Sequence, residues 1–78
     1  MLISLHSRAH RALVDEFIRM RKAAGLTQRD LAKRLKVSQG WISKLETCQL
    51  HIDIFVLAPI ARALGGDPVK VYETFCVG

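Results

Sequence analysis

The stretch QRDLAKRLKVSQGWISKLE, residues 28–46, carries two helical patterns with almost nothing between them. Leu31, Ala32 and Leu35 recur at one-turn spacing, and Ile42 and Leu45 do so again after Ser38. Two short amphipathic helices are therefore joined across Leu35, Lys36, Val37 and Ser38, a connection short enough to force a steep crossing. That is the pattern of a helix-turn-helix.

Working outward, the punctuation divides the chain into about five short helices, an all-α bundle without repeats or linkers. The first is expected from about residue 7 or 11 to 24, with Leu13, Phe17, Met20 and Ala24 inward and Gly25 as its stop. Thr27 caps the second, with Asp30 three residues on as capping-box partner, and Ser38 caps the third. Asp53 is the expected cap of a fourth that ends at Leu64, before Gly65 and Gly66. Pro59 lies inside it, at a cost of about 3 kcal/mol in a regular helix, so a kink or a later start is expected. Asp67 and Pro68 open a fifth with Val69, Tyr72 and Phe75 on its apolar side. β-structure finds little support, since only residues 50–55 alternate even loosely.

Seventy-eight residues make one domain, 1–78, with a core of about 10–76 and residues 1–6 expected to lie outside the ordered part. Such a chain has no room for a separate sensing module, so regulation is expected from concentration or a partner. The apolar runs are too short for a signal peptide or a membrane span, which points to the cytoplasm. Cys48 and Cys76 are too few and too far apart for a metal knuckle and read as reduced, ordinary residues. His6 and His10 have an i, i+4 spacing without a third ligand, and read as surface or disordered residues. His51 has no nucleophile to activate, and no catalytic residue, metal or cofactor is expected.

The net charge of +5 matters less than its placement. Residues 1–44 hold ten Lys and Arg against Asp15, Glu16 and Asp30, or +7, whereas residues 45–78 are −2. Such asymmetry suits a polyanion on one side and protein or solvent on the other. Placed at 100° per residue, the third helix clusters Ile42, Leu45, Glu46 and Ser38 inward, and Gly40, Ser43, Lys44 and Thr47 outward. Small polar groups and one lysine suit a helix entering the major groove, because bulky side chains would hold it away. Gln39 on the first turn can bond adenine N6 and N7, and Lys44 one turn on can donate to guanine O6 and N7.

Glu46 breaks the amphipathic rule, lying about 40° from Ile42 on the side that should be buried. A buried carboxylate needs a partner. Arg21 breaks the rule in the first helix, on the side of Leu13, Phe17 and Ala24, so an Arg21–Glu46 ion pair is expected. Trp41 flanks the outward surface, with its ring either at the core edge and its indole N–H near a phosphate, or wholly in the core.

On RKAAGLTQRDLAKRLKVSQGWISKLE, residues 21–46, followed by ARALG at 61–65, the chain resembles the Cro and phage-repressor (Xre-type) helix-turn-helix family over about residues 17–64. The resemblance implies a lambda-repressor-like fold with Leu31, Leu35, Val37, Ile42 and Leu45 as framework and Ala32 at the helix crossing. It implies base contacts from Gln39, Gly40 and Lys44, and DNA-backbone contacts from Gln28, Arg29, Ser38, Trp41, Ser43 and Thr47. Its arginine-to-glutamate pair falls on Arg21 and Glu46. Two departures stand out: Lys36 where the family usually has glycine in the turn, and Thr47-Cys48 where it often has Asn-Gly. Gly40 also offers no side chain at a position that commonly reads a base.

The function so implied is sequence-specific recognition of double-stranded DNA by a transcription regulator. The expected form is a homodimeric repressor on a palindromic operator with half-sites about 34 Å apart. Helix five and the tail at 69–77 are the expected dimer face. The alternative is an antitoxin-like module that binds a protein partner and also regulates its own operon, and a lapsed structural module is a third reading.

Overall fold

A computed structural model of the chain describes residues 7–75, and each break in the sequence pattern becomes a helix end. The order is α1 (Arg8–Ala23), α2 (Gln28–Leu35), α3 (Gln39–Glu46), α4 (Ile54–Ala63) and α5 (Pro68–Phe75). The expectations for residues 1–6, His6, Cys76 and the end of the tail lie outside the described residues.

The helix starts follow from capping chemistry, because the first turn of a helix has backbone N–H groups without intrahelical acceptors. Ser7, Thr27, Ser38 and Asp53 each accept from the N–H three residues on. At α2 the capping box is complete, since Asp30 also accepts from the Thr27 N–H at 2.9 Å. That bond holds the Asp30 carboxyl below its ordinary pKa. Asp67 Oδ1 accepts from Val69 N, which leaves Pro68 at the first position of α5, where its missing N–H costs nothing.

The ends of α1 to α4 share one device, the paired backbone bonds of a Schellman turn. Leu26 N bonds Arg21 O and Gly25 N bonds Lys22 O after α1, and the same pair recurs after α2, α3 and α4. Each turn needs one residue with positive φ. Gly25 and Gly65 fill that place after α1 and α4, at φ 73° and 78°, whereas Lys36 and Cys48 fill it on either side of α3, at φ 57° and 58°. Cys48 thus keeps the chain on the path a glycine would give it. A left-handed non-glycine residue costs about 1 to 2 kcal/mol. Lys36→Gly should remove that cost against about 0.5 to 1 kcal/mol of added unfolded-state entropy, raising the melting temperature by several degrees. A thermal melt that falls or does not move would show that the turn is not strained.

The core draws Leu13, Val14 and Phe17 from α1, Leu31 and Ala32 from α2, Ile42 and Leu45 from α3, and Leu57, Ile60 and Ala61 from α4. Ile52, Leu64 and Val71 close it. The pairs α1–α3, α1–α5, α2–α3, α2–α4 and α4–α5 are in contact, so α3 is held from two sides. Five expectations are corrected here. His10 is fully buried rather than at the surface, continuing the stripe of Leu13, Val14 and Phe17 by one turn. Ala24 is exposed because α1 has already ended, and Val69 is exposed while Val71 turns inward. Ser38 is exposed as a cap. Finally, α4 begins at Ile54 and runs through Pro59 without a late start. Pro59 and Phe55, whose carbonyl it leaves without an amide donor, are both on the exposed side of α4, where water can serve that carbonyl.

Candidate nucleic-acid interface

The recognition candidate is the outward face of α3, whose inner face explains its position. Ile42 and Leu45 are 0 % and 1 % exposed, so the helix is seated by two aliphatic side chains one turn apart. Beside them Glu46 is locked by a bidentate guanidinium: Arg21 Nε donates to Glu46 Oε2 at 2.7 Å and Arg21 Nη2 to Oε1 at 3.1 Å. The two side chains are only 11 % and 7 % exposed. Arg21 Nη1 donates to Leu26 O at 2.8 Å, and Gln28 Nε2 donates to Glu46 Oε1 at 2.9 Å. One carboxylate therefore ties α1, the loop after it and the start of α2 to the end of α3. A two-point charged contact fixes rotation as well as distance, so the network sets the angle at which α3 is presented.

The residues on the other face are open. Ser38, Gln39, Gly40, Ser43, Lys44 and Thr47 are all exposed, and Arg29 is exposed at the start of α2. Trp41 is half-buried, its ring against the core edge. Two of these side chains, and Gln28 at the start of α2, already have internal work. Gln28 is committed to Glu46, Ser38 Oγ accepts the cap bond from Trp41 N, and Thr47 Oγ1 donates to Ser43 O at 2.8 Å. A hydroxyl has one proton to give and the Thr47 N–H is donated to Ser43 O as well, so Thr47 in this arrangement could meet a phosphate only through a water.

An open cleft of about 590 Å³ lies between the end of α1 and the starts of α2 and α3, lined by Lys22, Leu26, Gln28, Arg29 and Gln39 among others. Lys22 was not singled out by the sequence; only the fold brings it beside Arg29 and Gln39. The cations sort by location. Arg11, Arg19 and Arg21 of α1 are in ion pairs with Asp15, Glu16 and Glu46. Lys22, Arg29, Lys36 and Lys44, placed around the helix-turn-helix, form no ion pair among the described residues. Their charge is available to a polyanion.

Helix-turn-helix domain is the description of the family model that matches residues 12–73. An XRE-family like protein from Pseudomonas syringae pv. tomato str. DC3000 is 33 % identical with a TM-score of 0.82, covering 90 % of this chain and 85 % of that one. The chain belongs to the XRE family of helix-turn-helix proteins. Two structures of the clp gene regulator ClgR from Corynebacterium glutamicum are each 31 % identical over 83 % of this chain. They give TM-scores of 0.73 and 0.74, over 69 % and 83 % of the respective ClgR chains. No curated protein sequence matches the chain. The XRE fold and family are those of DNA-binding transcription regulators. Among the described residues no helix is long and apolar enough to cross a membrane, and no group of three or more His, Cys, Asp or Glu could hold a metal. In this XRE-family chain Lys36 and Cys48 take the left-handed backbone that glycine would take, so both departures change side chains while keeping the path of the helix-turn-helix.

Proposed function

We propose that this chain is a sequence-specific, double-stranded DNA-binding repressor that works in the cytoplasm as a homodimer on a palindromic operator, laying α3 in the major groove. The observation that carries the reading is the outward face of α3: Gln39, Gly40, Ser43 and Lys44 are exposed together, on a helix whose opposite side is locked by Arg21 and Glu46. Gln39 and Lys44 read bases by bidentate bonds, and Gly40 allows close approach of the backbone where no side chain intervenes. Arg29, Ser38, Trp41, Ser43 and Thr47 lie along the DNA backbone, and Lys22 joins them from the cleft. Gln28 reaches a phosphate with the amide hydrogen that it does not give to Glu46.

Selecting bound duplexes from a random pool tests this directly, with an enriched palindrome expected. Gln39→Ala and Lys44→Ala should then each relax one position of the site, at a cost of about 1 to 3 kcal/mol measured by titration against the matching single-base variants. Uniform weakening across every base pair would mean that neither residue reads sequence.

A further inference from the structure

We propose that the groove between the α2–α3 turn and the start of α4 docks an acidic, amphipathic helical segment of a different protein. This goes beyond the proposed function and does not rest on it. The groove, of about 210 Å³, is walled by Leu35, Val37 and Trp41 on one side and by Val56 and Pro59 on the other, with Phe55 at its rim. No charged residue lines it. From Phe55 to Ile60 it follows α4 for about 7.5 Å, room for two apolar side chains one turn apart on an opposing helix. Its volume falls below the roughly 300 Å³ at which small-molecule sites begin, and Phe55, 83 % exposed, stands outside anything small enough to fill it. Covering that ring takes a partner surface.

Charge decides the chemistry of that partner. Lys33, Arg34 and Lys36, at the end of α2 and in the turn, are exposed and form no ion pair among the described residues. Lys36 stands between the wall residues Leu35 and Val37. Arg34 is placed by a bond across the fold: its Nη1 donates to Ala63 O at 3.0 Å, about one turn along α4 from Ile60. A guanidinium has further donors to give, so Arg34 can take a carboxylate at that end of the groove. At the opposite end Asp53 is engaged as the cap of α4, accepting from Val56 N at 3.0 Å. An apolar groove with cations on its rim complements a segment whose apolar stripe is edged by Asp and Glu. The net charge of +5 draws such a segment in and repels a second copy of the chain. A duplex would lay phosphates against apolar side chains and lose their hydration. Since Trp41 belongs to α3, the docked segment bears on the recognition helix itself.

Selecting a phage-displayed library of random peptides, each about four turns of helix long, against the full chain tests the docking site. The enriched peptides should carry Leu, Ile or Phe at i and i+4 among Asp and Glu. Their titration should shift the emission of Trp41, the one tryptophan of the chain. Phe55→Ser and Arg34→Gln should each weaken them by at least about tenfold with an unchanged circular-dichroism spectrum. Lys36→Glu, which breaks no hydrogen bond of its side chain seen in the structure, should weaken them too, whereas Val69→Glu on the exposed side of α5 should leave them bound. Enrichment of basic or uncharged peptides, or of none, would overturn the proposal. Acidic peptides released by Lys44→Ala but held by Phe55→Ser would overturn it as well, by placing their site on the outward face of α3.

Discussion

Arg21→Ala should cost about 3 to 5 kcal/mol and leave a markedly less stable protein. The reason is the company Glu46 keeps. Its side chain is 7 % exposed, and without the guanidinium its charge is left with the Gln28 amide as its hydrogen-bond partner, while Leu26 O also loses its donor. A domain of this size has about 4 to 12 kcal/mol of stability in all, so the loss is a large share of it. At roughly 4 to 8 °C per kcal/mol the melting temperature should fall by at least about 12 °C. Replacing both partners, as Arg21→Met with Glu46→Leu, should recover much of this, because two well-packed apolar side chains strand no charge. Recovery of stability in the double variant with poor operator binding would show that the pair orients α3. An Arg21→Ala variant melting at the wild-type temperature would refute the electrostatic account outright.

Affinity for duplex DNA should fall about a thousandfold between 50 and 200 mM salt, the second large effect. Lys22, Arg29 and Lys44 of each copy surround the proposed DNA surface without ion-pair partners among the described residues, so a dimer displaces about six counterions. Each released counterion adds about 0.9 to the slope of log K against log salt. Lys22→Ala should therefore lower the slope of the dimer by about 2 and weaken specific and random duplex alike, because a phosphate contact carries no sequence information. Lys44→Ala should lower the slope and also relax one base position. A flat salt dependence would identify a helix-turn-helix that no longer binds DNA, and would sink the function proposed for it.

These expectations rest on features of unequal legibility. Thr27, Asp30, Ser38 and Gly25 could be placed from the sequence because capping and left-handed turns are governed within four residues. Arg21 and Glu46 were legible by a different route: each is a charge on an otherwise apolar stripe, and the structure places them 2.7 Å apart. His10 was misread although the signal was present, since it stands three, four and seven residues before Leu13, Val14 and Phe17. Its chemistry, paired with His6, outweighed its helical position. Val69 and Val71 could not be separated without knowing which side of α5 meets α1 and α4.

The sequence alone determined the fold class, the helix-turn-helix and the face α3 presents, because hydrophobic spacing and caps act over one or two turns. The tertiary structure decided the partners across greater separations. It put Gln28 on Glu46 eighteen residues away, gathered Lys22 with Arg29 and Gln39 in one cleft, and set Phe55 beside a groove built from α2, α3 and α4. Helical periodicity says that a side chain points inward or outward. Which neighbour it meets there depends on how the helices cross, and that is settled only when the whole core packs.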